Sequence, residues 1–261
     1  MLQYMAGIGV MMALAWALTR GFAATLPVVP RRTRRQALGA VPIALSGVVV
    51  GALLIAVASG GRDIAGDLDA QPVQSELHCS VEDLFGVAVL GLIVAGPVLV
   101  IRWRRRIPAA EMGWQAPGRQ RAVLVALALG LISTVPVLLA NEKPVLTVLA
   151  GLGLAHLVFF VYHLLVGAAE ELVFRGYLQQ WLEGWLGTWR GWLLASVLMA
   201  LAHMGQRMTV LGLDAGEAWI SSLKLLPPSM LMGFVMIRTR NLAAPIIVHA
   251  FANWVQSLYR D

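Results

Sequence analysis

The chain has 261 residues, 59% of them hydrophobic and only 13% charged, with a formal net charge of +6. One soluble core of this length would not use so much apolar surface, so a soluble globular domain is excluded and a polytopic membrane protein is expected. The positive charge does not point to nucleic acid, because the basic residues alternate with the apolar stretches instead of lining one face.

Eight apolar stretches, 2–19, 37–59, 84–103, 122–140, 146–168, 189–206, 219–237 and 242–258, each approach the ~20 residues needed to span hydrocarbon. The fifth continues as helix to about residue 182. The predicted fold class is therefore all-α, a polytopic transmembrane helix bundle. The first stretch lacks a basic leader and is followed by Arg20, Arg31, Arg32, Arg34 and Arg35, so it reads as a retained anchor and not as a cleaved signal. The loop 60–83 holds Asp63, Asp67, Asp69, Glu76, Glu82 and Asp83 against Arg62 alone. After the third stretch come Arg102, Arg104, Arg105, Arg106, Arg119 and Arg121, and after the seventh Arg238 and Arg240. By the positive-inside rule these basic loops are cytoplasmic and both termini extracytoplasmic. The composition, rich in Ala, Gly, Leu and Arg, reads as bacterial, which makes the plasma membrane the expected location. Cys79 is the single cysteine, so no intrachain disulfide or cysteine metal cluster can form.

Residues 1–140 carry almost no ionisable group within a span and read as an N-terminal transmembrane scaffold, whereas 146–258 carry nearly all the intramembrane polar groups and read as the catalytic core. An ionisable side chain at the bilayer centre costs about 2.5–3.5 kcal/mol on insertion scales and by default marks function. Glu170, Glu171 and Arg175 stand together in the fifth stretch, His203 closes the sixth, and His249 and Asn253 lie in the eighth.

Counting residues brings these groups together. Gly184 and Gly187 mark the turn between the fifth and sixth stretches, and Glu170 and His203 lie equally far from its midpoint. At 1.5 Å per residue both sit about 18 Å from that end, and His249 and Asn253 reach about 12 and 18 Å from the same side. Glu171 and Arg175 are four apart and share a helical face, so they are the expected ion pair, while Glu170 points about 100° away and stays free for proton chemistry. A carboxylate and an imidazole at one depth, Glu170 and His203, can hold and deprotonate a water. His249 and Asn253, also four apart, can donate toward one point and so suit a developing oxyanion. His163 and His156 share the stripe of Glu170 but lie one and two steps of about 10.5 Å away, so packing or interhelical hydrogen bonding is expected of them. The tryptophans Trp181, Trp185, Trp189 and Trp192 cluster around the turn between the fifth and sixth stretches, where interfacial anchoring accounts for them.

In this order, Glu170-Glu171-x-x-x-Arg175, His203, and His249-x-x-x-Asn253 resemble the three-motif signature of the CPBP family of intramembrane proteases, which includes the CAAX prenyl endopeptidases and bacteriocin-processing, Abi-like proteins. The resemblance covers about 146–258, with Met199 where the family usually has phenylalanine. It implies hydrolysis of a peptide bond in a membrane-associated peptide or protein, with Glu170 as general base, His203 as its partner on water, His249 and Asn253 as oxyanion stabilisers, and Glu171 and Arg175 in support. Two versions of that chemistry stand open: direct activation of water without a cofactor, which is favoured, or zinc held by Glu170, His203 and His249 with one open position. A reading from another class is a transporter or a membrane-bound chaperone or immunity protein that uses the same polar cluster; a repeated half with broken helices would favour transport, and the sequence contains none.

Overall fold

The computed structural model describes residues 2–21, 29–58, 80–114, 118–140 and 150–257. Cys79 and most of the acidic loop lie outside the described residues. The eight apolar stretches coincide with eight helical segments: α1 Leu2–Leu18, α2 Arg34–Ala58, α3 Val81–Arg104, α4 Arg119–Ala140, α5 Leu154–Leu186, α6 Thr188–Val210, α7 Ala215–Thr239 and α8 Ala243–Ser257. No strand occurs among the described residues. Five of the segments, α2, α3, α5, α6 and α7, are long and apolar enough to cross a membrane, and α1 and α8 contain shorter apolar helices, Met5–Leu18 and Ala243–Val255. The chain is an integral membrane helix bundle.

Helix boundaries follow local chemistry. Ser80 caps α3 through a reciprocal box, its Oγ accepting from the Asp83 backbone at 3.1 Å while the Asp83 carboxylate accepts from the Ser80 backbone at 2.8 Å. Asp214 caps α7 in the same manner, accepting from the Glu217 backbone at 2.9 Å. α7 is interrupted by a turn at Lys224 and Leu225, just before Pro227 and Pro228, which lack the N–H groups a continuous ladder requires. Between α5 and α6 the chain reverses at Gly187, whose φ of 83° a side chain would resist.

α5 runs through the middle of the bundle. It packs against α3, α6 and α8, and its C-terminal part also meets α2. α2 lies between α3 and α6, α4 covers α8, and α1 lies on the second half of α7. The α2 face toward α3 is built of small residues, Ala40, Ala44, Gly47 and Gly51, and a Cβ at Gly47 would collide with the Val94 carbonyl oxygen. Such faces let transmembrane helices approach until dispersion alone holds them, since lipid offers no hydrophobic drive for helix association. Large apolar side chains point outward along α2, α3 and α4, among them Leu53, Phe85, Leu92, Leu124 and Leu131, as lipid contact requires.

The tryptophans near the α5–α6 turn do not all anchor the interface. Trp181 is buried against Tyr177, ring centroids 4.4 Å apart, and Trp192 donates to the Met230 carbonyl at 2.9 Å, whereas Trp189 is exposed. Position along the chain located the bundle end, but only packing shows which indoles face inward. The His163 ring lies edge-on to Phe159 at 4.8 Å, as packing requires, whereas the His156 ring accepts from the Gly153 backbone at 3.2 Å, a cap on its own helix and not the interhelical bond expected.

Candidate functional site

Leu154–Glu171 is regular α-helix, and the next eight residues, Leu172–Gln179, are π-helical. π segments are rare and recur at functional sites, because the wider turn breaks the α ladder and frees backbone groups. Gln180 answers one of these, its amide donating to the Arg175 carbonyl at 3.3 Å. The segment begins directly after the paired glutamates.

Both carboxylates are placed as counting predicted, and Glu171 does more than was expected of it. It is fully buried, with Oε2 3.2 Å from Arg175 Nε and Oε1 2.7 Å from His249 Nδ1. Arg175 is equally buried and donates to the carbonyl and hydroxyl of Ser229, at 2.9 and 3.0 Å, with the Met199 sulfur 3.8 Å away. Ser229 in turn donates to the Ser196 carbonyl. The serine went unnoticed in the sequence because a hydroxyl beside two prolines resembles a turn residue.

Glu170 faces the other way, toward an open cleft, and its side chain retains 24% exposure. Its Oε2 lies 3.7 Å from His203 Nε2 and 3.9 Å from His249 Nε2. Two backbone approaches make this convergence possible. A Cβ at Gly167 would stand 3.3 Å from the Ile246 carbonyl and 3.5 Å from the His249 Cβ, so the missing side chain lets α8 close on α5. Gly91 does the same for α3, where a Cβ would stand 3.2 Å from that of Ala169.

Hydrogen bonds on the far side of each ring set its tautomer. His203 Nδ1 lies 2.8 Å from the Met199 carbonyl, which can only accept, so Nδ1 carries a proton and, in the neutral ring, Nε2 presents a lone pair to the Glu170 side. His249 Nδ1 likewise donates to the Glu171 carboxylate. His249 can therefore donate from Nε2 only as an imidazolium, a charge for which buried Glu171 is the counter-ion. Asn253 is half-buried one turn beyond His249, and among the described residues no hydrogen bond joins it to Glu170, Glu171, His203 or His249.

The cleft has an empty volume of about 620 Å³ and is mostly apolar. One wall is Val166, Ala169, Glu170 and Phe174 of α5, and another Ala202, His203 and Gln206 of α6. The rest comes from α2 and α3, in the N-terminal scaffold segment, through residues such as Val48, Ile55, Leu90 and Val94. Gln206, three residues past His203, is a further polar group at this cleft that motif reading missed.

Among the described residues no three His, Cys, Asp or Glu side chains are arranged to hold a metal ion. The trio Glu170, His203 and His249 meets around one carboxylate oxygen, at separations of 3.7 and 3.9 Å.

Residues 152–255 match the family model described as Rce1-like, type II CAAX prenyl endopeptidase Rce1-like. No curated protein and no solved structure matches the chain. The Rce1-like segment runs from the start of α5 to the end of α8 and contains Glu170, Glu171, Arg175, His203, His249 and Asn253, so the family resemblance carried by the three motifs holds. The cleft walls from α2 and α3 lie outside it.

Proposed function

We propose that the chain is an intramembrane endopeptidase that hydrolyses a peptide bond of a membrane-associated peptide or protein. The observation that carries this reading is the position of Glu170, with a carboxylate oxygen under 4 Å from two imidazole nitrogens and open to an apolar cleft. The Rce1-like match of the same segment supports it.

In the proposed mechanism water enters the cleft and Glu170 takes one of its protons while His203 Nε2 accepts a hydrogen bond from it. The hydroxide forms a bond to the carbonyl carbon of the substrate. Negative charge then develops on the carbonyl oxygen, where imidazolium His249 and the Asn253 amide are the donors, in a site dry enough for such donors to act strongly. As the C–N bond breaks, Glu170 returns its proton to the leaving nitrogen and the product carboxyl is left behind. Arg175 and Glu171 touch no reacting atom and act by holding His249.

The proposed steps use Glu170 and His203 directly on water, and zinc held by Glu170, His203 and His249 is the alternative that the next experiment separates. We expect enzyme stripped of metal, verified by elemental analysis of the same sample, to keep its cleavage rate. Inactivation that stoichiometric zinc alone reverses would transfer the mechanism to zinc held by Glu170, His203 and His249.

The test of the activity itself is cleavage of a panel of lipidated and unlipidated peptides by the purified protein in liposomes. Cleavage at a defined bond is expected, and protein that cuts none of them while carrying a solute across the bilayer would establish the transport reading instead. The proposed setting is a bacterial plasma membrane with both termini outside, supported by the alternation of basic and acidic loops. Physiological substrates would appear as uncut chains when the membrane proteomes of cells with the active protein and with Glu170→Gln are compared.

A further inference from the structure

Well away from the cleft, at the end of the bundle where α5 turns into α6, a second concavity is lined by Arg32, Gln36, Arg105, Arg106, Glu111 and Trp181 and has an empty volume of about 670 Å³. Trp181 is eleven residues past Glu170, or about 16 Å along α5. The proteolytic reading uses none of these residues.

The walls are built and not incidental. Arg32 is held from three directions, by an ion pair with Glu111, by the Trp181 ring 4.3 Å from its guanidinium carbon, and by its backbone N–H donating to the Gly184 carbonyl at 2.9 Å. Its Nε is buried with no hydrogen-bond partner. Opposite, the end of α3 curls so that the Ile107 backbone donates to the Arg102 carbonyl at 3.0 Å, and Arg106 adopts φ 51°, a left-handed conformation unusual for a side chain of this size. Such a conformation persists only where the surroundings impose it. The next segment is pinned in turn by the Leu242 backbone donating to the Gly113 carbonyl at 2.8 Å.

Charge in this concavity does not balance. Glu111 answers Arg32, and among the described residues no carboxylate pairs with Arg105 or Arg106. Three guanidiniums around one carboxylate leave a site for an anion, and the forked donors of arginine match the oxygens of a phosphate. The depth identifies the source. Trp103 and Trp189, 77% and 61% exposed, stand at the same end, the signature of the membrane–water boundary, and exposed Leu38 and Val100 on the adjoining turns of α2 and α3 offer apolar surface to acyl chains.

We propose that this pocket binds the phosphate of an anionic phospholipid headgroup in the adjoining leaflet. Delipidated full-length protein should be offered phosphatidylglycerol and phosphatidylcholine of matched chains, and retention read by native mass spectrometry. Wild-type protein is expected to keep phosphatidylglycerol preferentially, and Arg105→Gln with Arg106→Gln to weaken that retention about tenfold or more. Arg119→Gln with Arg121→Gln, which removes equal charge from exposed positions outside the pocket, should leave retention unchanged. Thermal melting checks that both double variants fold, as exposed sites should allow. Equal loss in the two double variants, or no lipid preference in wild type, would overturn the proposal. Displacement of phosphatidylglycerol by an equal concentration of inorganic phosphate would assign the pocket to a free anion and overturn the lipid source.

Discussion

Glu170→Gln is expected to remove peptide cleavage by at least about 10³-fold while the protein melts as wild type does. The amide keeps the volume and planarity of the side chain but cannot accept the proton of an attacking water. Folding should be spared because the Glu170 side chain stands partly exposed in the cleft, and its neighbours His203 and His249 each hold a separate hydrogen bond through Nδ1, to the Met199 carbonyl and to Glu171. Peptide turnover and detergent melting measured on the same preparation test this directly. A variant that still cleaves at more than a tenth of the wild-type rate would remove Glu170 from the role of base.

Glu171→Gln should behave differently from its neighbour, losing both stability and rate. Arg175 would then be buried, at 1% exposure, beside an uncharged amide. Breaking one side of a buried pair typically costs about 3–5 kcal/mol, because the remaining charge is left uncompensated. His249 would at the same time lose the anion that fixes its Nδ1 proton and supports its imidazolium form. By comparison with hydrolytic sites in which a carboxylate orients a histidine, the rate should fall about 10²-fold or more. Melting temperature and cleavage rate of Glu171→Gln, set beside those of Glu170→Gln, separate the two acids. If Glu171→Gln melts and cleaves like wild type, the bridge from Arg175 to His249 has no function.

Apolar runs broken by charged loops were enough to locate the eight long helical segments among the described residues, because a chain in lipid must satisfy its backbone within each segment and has few other ways to cross. The shared depth of Glu170 and His203 was equally legible. Helical rise is constant, so residues at equal counts from a turn meet at one level, and the structure places His203 Nε2 3.7 Å from Glu170. Counting set His249 about 6 Å nearer the bundle end than Glu170, yet its Nε2 lies 3.9 Å from the same carboxylate. The pairing of Glu171 with Arg175 followed from a spacing of four. That same spacing said nothing of the 2.7 Å bond from Glu171 to His249, which joins helices 78 residues apart.

An all-helical membrane protein with its polar chemistry gathered in the C-terminal half could be read residue by residue, since periodicity, span length and intramembrane charge are properties of local composition. Tertiary structure alone decided which atoms meet. The π segment after Glu171 contains buried Arg175, whose bonds to Ser229 run to another helix. The ring nitrogens that carry protons are chosen by a carbonyl four residues back and by a carboxylate on another helix. The cleft owes much of its wall to α2 and α3, whose plain apolar sequences carry no sign of it. Azimuth and helix neighbours are set by how small and large side chains interlock, and that information is spread over the whole chain instead of residing in any motif.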